Sequence, residues 1–483
     1  MSAVSVTDPL RIGFATVVRD AFKGGATALS RRAQNALERQ ANADGDLLLN
    51  APEVVRDVDA ARRVGAWAAE GELDYLMILH ATFATGDLLA PLVRAVPQVG
   101  VWAVPEAEGL PLERDGVHPE MRPLPLNSLC GLTMTLSLLE HPAVGKTEPV
   151  KWYWGAPGSE AFTQRWRPTL GALRGLRALR TARIVQIGGT APGFYRLEER
   201  PALAGVHVDS VPLEVLYARM ADVREADVRA RARAWSEAEP PLGASEAHVL
   251  VAARTELALT ALAREGDYQA LALRCWPEFA EACGGMACAA VGAMADRFVP
   301  TACEGDVMGA LSMLALQALA RAPSALMDLS DLDPGGDRLL LWHCGNAPIA
   351  FAPSAGARLT THFNRDGTGV VRDMRLAPGP ATGFRLLAGG ERAVIVSGAL
   401  ADTTEPDVDG VRAWWHELRW DGTRCTAFEV VARLLDARLP HHLALAPGEH
   451  TDAVHELVVR LGGEVLPPTR VRGALRAPGL GPA

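Results

Sequence analysis

The chain has 483 residues, 49% of them hydrophobic and 22% charged, with a formal net charge of −9. That length exceeds what one hydrophobic core supports, so roughly two to four domains of a soluble globular enzyme are expected. The acidic balance, with both signs mixed along the chain, excludes the basic stripe that nucleic-acid binding needs. The longest apolar runs, such as residues 311–319, are too short and interrupted to span a bilayer.

No basic segment followed by an apolar one opens the chain, so a cytoplasmic location is expected. The arginine-rich stretches 174–183 and 224–233 read as solvated helix faces. Seven cysteines lie at 130, 275, 283, 288, 303, 344 and 425. None forms a CxxC pair, and the spacing predicts small buried side chains in a reducing compartment.

Residues 10–18 read as a buried strand, followed by a helix over 26–42 and apolar strands at 75–80 and 98–104. Strands alternating with amphipathic helices predict a parallel α/β unit. A proline-rich segment, 105–125, interrupts the pattern before a helix over 129–139. A second α/β unit is expected from about residue 150. Its clearest strand, 182–187, runs into Gly188-Gly189-Thr190-Ala191-Pro192-Gly193. This is not a GxGxxG fingerprint, and Pro192 removes an amide that a phosphate cradle would use. It serves either as a tight turn or as a substrate-lining edge of the sheet.

Helices are expected over 215–237, 247–265 and 268–283. From residue 339 the runs 339–343, 349–351, 369–376, 383–387 and 392–397 alternate with Gly, Pro, Asp and Asn turns. That pattern predicts a mostly antiparallel sheet or barrel, closed by helices at 427–435 and 451–461 and a Pro/Gly-rich tail, 477–483. The expected fold is therefore α/β. Two Rossmann-like parallel α/β domains, 1–148 and 149–322, precede a mostly antiparallel β domain, 323–483.

The segment 299–332 carries the most chemistry. Asp306 stands where an N-cap would start a helix over 307–321 that ends before Pro323. Glu304 then lies in the turn before that helix, and Asp328 just beyond a short apolar strand, 324–327. A helix-then-strand return brings both acids to the same rim of a sheet, where they suit a hard, oxygen-preferring cation. Alone, such acids serve equally as caps or solvated surface.

Histidines add to them. His343 ends an apolar strand before Cys344, Gly345 and Asn346, placed either to face a cleft or to pack as a hydrogen-bonded imidazole. His441 and His442 open another apolar segment. Strand alternation would send them to opposite faces, so only one is expected to join the carboxylates.

Taken together, these motifs resemble the L-fucose isomerase and L-arabinose isomerase superfamily of aldose–ketose isomerases over most of the chain. The fucose isomerase side supplies a Glu before the helix (Glu304), a small-residue and Met-Leu run (Gly309 to Leu314), and an Asp (Asp328) at ungapped spacing. The arabinose isomerase side supplies His343, the pair His441–His442, and an N-terminal unit with His80-Ala81-Thr82-Phe83, Trp102 and Leu126-Asn127-Ser128. Arabinose isomerases carry Glu where this chain has Asp328, so the substrate is not inherited from either branch.

The resemblance implies metal ligation by Glu304, Asp328 and His442, with His343 a fourth ligand or a neighbour, and Mn²⁺ or another divalent ion such as Mg²⁺ or Co²⁺. It implies proton transfer by Glu304 and Asp328 through a cis-enediol. Arg19, His80, Trp102, Asn127, Trp276 and Cys303 are the candidate substrate contacts. The expected substrate is a small-molecule sugar: a deoxy sugar, a pentose or an anionic, sulfonated sugar. The expected assembly is a homo-oligomer, trimer or hexamer, with N-terminal residues completing a neighbour's site. A metal-dependent lyase or aldolase and a non-catalytic sugar-binding protein are the alternatives.

Overall fold

The computed structural model describes residues 8–109, 124–142, 144–362 and 367–467. The proline-rich segment lies partly, and the tail 477–483 wholly, outside the described residues. Two compact units are present, Thr7–Leu173 and the chain from Arg174 onward, so the division falls within a helix rather than near residue 148.

In the first unit β1 (Arg11–Val17), β2 (Leu47–Asn50), β3 (Tyr75–His80), β4 (Val99–Ala103) and β5 (Val150–Trp154) form one parallel sheet, ordered β2-β1-β3-β4-β5. Strand β5, lying at the expected start of the second α/β unit, is the edge strand of the first sheet, paired to β4. Helices α1 (Ala26–Asp44) and α5 (Glu160–Arg180) pack on one face of the sheet. Helices α2 (Val58–Glu70), α3 (Gly86–Ala95) and α4 (Ser128–Leu139) pack on the other. Strands covered on both faces read as continuous apolar runs, which is why β3 and β4 are visible in the sequence.

The second unit begins with a parallel sheet ordered β7-β6-β8-β9: β6 (Arg183–Ile187), β7 (His207–Val211), β8 (Ala270–Leu273) and β9 (Thr301–Ala302). The helix expected over 215–237 is two, α6 (Leu213–Asp222) and α7 (Glu225–Ala238), and α8 spans Glu246–Gly266. The helix expected over 268–283 is a correction. Its first part is the central strand β8, all four residues buried, and only α9 (Phe279–Cys283) is helical. A fully buried strand shows no alternation, so its periodicity does not separate it from a helix.

After α10 (Cys288–Asp296) comes α11 (Val307–Ala320), buried from Val307 through Leu319. A helix apolar all round belongs between two layers, and α11 packs against β8 on one side and the C-terminal sheet on the other. That sheet is built from β10 (Ala325–Asp333), β11 (Arg338–His343), β12 (Arg358–Thr361), β13 (Val370–Arg375), β14 (Gly379–Leu387), β15 (Arg392–Leu400), β16 (Val411–Trp420), β17 (Thr423–Arg424), β18 (His442–Pro447) and β19 (Glu464–Val465). The ring β16-β11-β10-β18-β14-β15 closes because β16 also pairs with β15, giving an antiparallel barrel. Its core holds Met327, Leu341, Trp415 and Leu443.

Strand β16 mixes Arg412, His416, Glu417 and Arg419 with its tryptophans and is not apparent as an apolar run. The run Ile349–Phe351 is a single 3₁₀ turn rather than a strand. Helices α12 (Ala427–Asp436) and α13 (Thr451–Arg460) complete the unit. No helix among the described residues is long and apolar enough to cross a membrane.

His80 illustrates the first unit's core. It is wholly buried, its Nε2 is 2.8 Å from Thr135 Oγ1 on α4, and burial pushes its pKa down to about 4 from 6.5. Between those pH values the unfolded chain binds a proton at His80 that the folded chain refuses, so stability falls as pH falls. The loss amounts to about 3 kcal/mol. Denaturant unfolding at pH 7 and at pH 4.5 should show wild type losing up to that amount more than His80→Gln.

Candidate active site

Glu304 follows the last residues of β9 in a 3₁₀ turn, Cys303–Gly305, and itself adopts a left-handed conformation (φ 60°). Such a conformation costs free energy in a non-glycine residue, and its neighbours hold it. The Glu304 carbonyl accepts the Ala191 amide at 2.9 Å, and the Gln186 side chain donates to the Gly305 carbonyl at 2.8 Å. Gly305 (φ 74°) has no room for a side chain, because a Cβ would lie 2.0 Å from the Gly189 carbonyl oxygen. The glycine-rich turn after β6 therefore braces the Glu304 turn.

Asp328 lies inside β10 rather than beyond it, paired with His442 of β18 on one side and Trp342 of β11 on the other. The two acids do not share the rim of one sheet as expected. Glu304 comes from the carboxyl edge of the parallel sheet, Asp328 from the barrel, and they meet where the two layers face. His442 joins them, its Nε2 3.4 Å from Glu304 Oε2 and 3.6 Å from Asp328 Oδ1.

The expectation that only one of the paired histidines faces the acids is also corrected. β18 starts at His442, so His441 sits before the strand and alternation does not govern it. The two rings lie 4.1 Å apart, and His441 Nε2 is 3.2 Å from Glu304 Oε2. Burial opposes the charged forms. The hydrogen bond between Glu304 and His441 and the surrounding charges outweigh it, lowering the pKa of Glu304 and raising that of His441.

Asp306 and Arg385 are the site residues that local sequence signals do not reveal. Asp306 caps α11, its Oδ1 accepting the Gly309 amide at 2.8 Å. It also takes both terminal nitrogens of Arg385 from β14, and its Oδ2 lies 2.8 Å from His442 Nδ1. Burial alone would raise the Asp306 pKa, but Arg385 and His442 hold it far below the ordinary carboxylate range. An ionised Asp306 can only accept, so His442 Nδ1 carries the proton and Nε2 presents its lone pair. That Nε2 and Asp328 Oδ1 are both buried without a hydrogen-bond partner among the described residues.

The donor atoms form two overlapping groups that share His442, Glu304–His441–His442 and Asp328–His343–His442, the atoms of each lying within 4.8 Å of one another. Carboxylate and imidazole donors so placed fit a divalent cation. Two ligands at right angles on an ion about 2.1 Å away stand about 3.0 Å apart, and His442 Nε2 lies 3.4 Å and 3.6 Å from the two carboxylates. Glu304, Asp328 and His442 are the residues that would hold it. His343 stands beside them, one donor atom from each of Asp328, His343 and His442 lying within 4.8 Å of the other two; its ring lies 6.0 Å from that of His442, and its Nδ1 accepts the Cys344 amide at 2.9 Å.

The other candidates are scattered. Trp276 is half-buried, edge-on to Phe194 at 5.7 Å, and Phe194 in turn contacts His441 at 5.4 Å, so an aromatic wall borders the histidine pair. Cys303 is buried with its Sγ 2.9 Å from that of Cys275. Arg19, His80, Trp102 and Asn127 belong to the first unit. His80 and Trp102 are wholly buried there, Trp102 stacked on Phe162 at 4.0 Å with its Nε1 donating to the Gly155 carbonyl. Both are packed in the core of that unit. Asn127 starts α4 in a left-handed conformation, and the exposed Arg19 places its guanidinium 5.6 Å from the Phe83 ring centre.

No family model matches the chain. Among curated proteins, it is 25% identical over 401 residues to the sulfoquinovose isomerase of Priestia aryabhattai, covering 80% of this chain and 83% of the relative. It is 27% identical over 403 residues to the sulfoquinovose isomerase of Alkalicoccus urumqiensis, covering 80% and 84%. The sulfoquinovose isomerase of Clostridium sp. (strain MSTE9) is 29% identical over 248 residues, half of this chain.

Asp306→Asn removes the charge that fixes the His442 tautomer and leaves the Arg385 guanidinium buried and unpaired. It should weaken Mn²⁺ binding about 10–100-fold in titration calorimetry and cost about 3–5 kcal/mol of stability in denaturant unfolding. Unchanged Mn²⁺ affinity in the folded variant would show that Asp306 does not orient a ligand.

Proposed function

We propose that this chain is a divalent-metal-dependent aldose–ketose isomerase acting on a sulfonated hexose such as sulfoquinovose. The approach of Glu304 and Asp328 to one nitrogen of His442, itself oriented by Asp306, supports the metal and proton-transfer part of the reading. Similarity to sulfoquinovose isomerases over four fifths of the chain supports the reaction and the anionic substrate.

Converting an aldose to its 2-ketose moves one proton between adjacent carbons and one between their oxygens. A bound divalent ion, Mn²⁺ in the first instance, would polarise the carbonyl and acidify the neighbouring C–H. Glu304 and Asp328 approach from opposing layers, so one carboxylate takes the proton from C2 and the other serves C1 through a cis-enediol. Glu304 enters ionised at neutral pH, because its lowered pKa keeps it a carboxylate. His441 bonds to the Glu304 oxygen that also faces His442 and so fixes the rotamer of that acid. The reading includes a homo-oligomer, trimer or hexamer, whose size in solution is measurable by light scattering.

The purified protein, stripped by chelator and reloaded with Mn²⁺, should convert sulfoquinovose to a ketose with every carbon retained, which separates isomerase from lyase. Its kcat/KM for sulfoquinovose should exceed that for glucose at least tenfold, a difference of about 1.4 kcal/mol in transition-state binding. Equal values would remove the sulfonate preference while leaving the isomerase. Glu304→Gln and Asp328→Asn should each lower kcat about 10²–10⁴-fold at saturating Mn²⁺. Near-wild-type turnover by either variant with metal bound would sink the assignment of these acids.

A further inference from the structure

Behind His343, on the side away from Asp328, the fold gathers cysteines that are far apart in sequence. Cys288 opens α10, and its Sγ lies 3.4 Å from the Sγ of Cys344, the residue directly after β11. His362, one residue past β12, brings a ring nitrogen to the same place. One donor atom from each of Cys288, Cys344 and His362 lies within 4.8 Å of the other two. The surroundings are dry. Cys288 is 1% and His362 4% exposed, and Cys288 packs with Met286 and Val371 in a small apolar cluster that Cys344 borders.

Two glycines allow this close approach. Gly345 (φ 123°) passes so near β13 that a Cβ would lie 2.6 Å from Val371 Cβ, and Gly369 (φ 102°) so near Met286 that a Cβ would lie 2.5 Å from its amide nitrogen. Three chain segments are therefore pinned around one point with two sulfurs and a nitrogen directed at it.

We infer that Cys288, Cys344 and His362 form a second metal site, specific for a soft or borderline ion of the zinc class and distinct from the carboxylate centre. The donor set decides the ion. Two thiolates and an imidazole select Zn²⁺ over Mn²⁺ or Mg²⁺, which prefer oxygen. Zn–S bonds of about 2.3 Å put two thiolates about 3.8 Å apart at the tetrahedral angle. The sulfurs stand at 3.4 Å, a difference that a small side-chain rotation takes up.

On binding, the thiols release their protons to solvent and no redox change is required. The site's place in the fold gives it a role: it clamps the start of α10 and the ends of β11 and β12. Through Cys344, whose Sγ is 3.3 Å from His343 Nδ1, it fixes the wall of the neighbouring centre.

The test is independent of isomerase activity. Elemental analysis of protein dialysed after exposure to ZnCl₂ should find one zinc per chain fewer in Cys288→Ser and in His362→Ala than in wild type, whereas Glu304→Gln, which disables the carboxylate centre, should still retain one. Co²⁺ added to the wild-type protein should give the near-ultraviolet thiolate-to-cobalt charge-transfer band, which oxygen and nitrogen ligands do not produce, and Cys288→Ser should abolish it. A wild-type protein that retains no zinc and shows no such band overturns the inference, whatever the variants do. Zinc retained undiminished by folded Cys288→Ser, judged by circular dichroism, overturns it as well.

Discussion

The buried carboxylate of Asp306 is the constraint around which the site is assembled. A charge in that position is costly unless every lone pair finds a donor, and the donors come from three places in the chain: the Gly309 amide of α11, the Arg385 guanidinium of β14 and the His442 imidazole of β18. Helix, barrel strand and His442 are thereby fixed to one atom group. Gly309 belongs to the same requirement, since a Cβ there would lie 2.4 Å from Asp306 Oδ2. The small residue early in α11 is the space that the ion pair occupies.

That anchor converts packing into electronic preparation. Because Arg385 keeps Asp306 ionised, His442 has a single tautomer available, and its free nitrogen is aimed before any ion or sugar arrives. The opposite arrangement holds at His343, where a backbone amide occupies Nδ1. Two imidazoles 6.0 Å apart thus differ in which nitrogen is a base, and the difference comes from one backbone and one side-chain contact.

The elements legible in the sequence are those whose signal is local. β1, β3, β4 and β6 are continuous apolar runs, and the Asp306 cap and Pro323 bracket α11. The same stretches point to Glu304, Asp328 and the histidine pair, but not to Asp328 lying within β10 or to both histidines turning toward Glu304. Where local signals are ambiguous the reading fails. β8 has the composition of a buried helix turn, β5 joins the sheet before it rather than the one after, and His441 escapes alternation because it stands one residue outside its strand. Arg385, the Phe194 wall and the cysteine cluster carry no local mark at all. They are defined by contacts between residues 28 to 79 positions apart or more, which no periodicity encodes.

The meeting of two layers at the site also explains why so much of the chain is committed to holding α11 still. In the proposed reaction, proton transfer between adjacent carbons requires two acids held within a fraction of an ångström of their working positions. Glu304 and Asp328 are carried by different sheets, so their separation is only as constant as the packing between those sheets. α11 is the spacer, and it is buried on every side by β8, β14 and β18. A polar residue on α11 would disturb that packing unless bonded, and Ser312 meets the condition, donating to the Met308 carbonyl and accepting the Leu386 amide of β14. The left-handed Glu304 turn extends the same logic to the last residues before the helix. Its conformation is set by Ala191, Gln186 and Gly189 on the parallel sheet, while the helix it leads into is tied to the barrel through Asp306. The acid is thus positioned from both layers at once, which is what a carboxylate must have if it is to work opposite a partner on the other side of the junction.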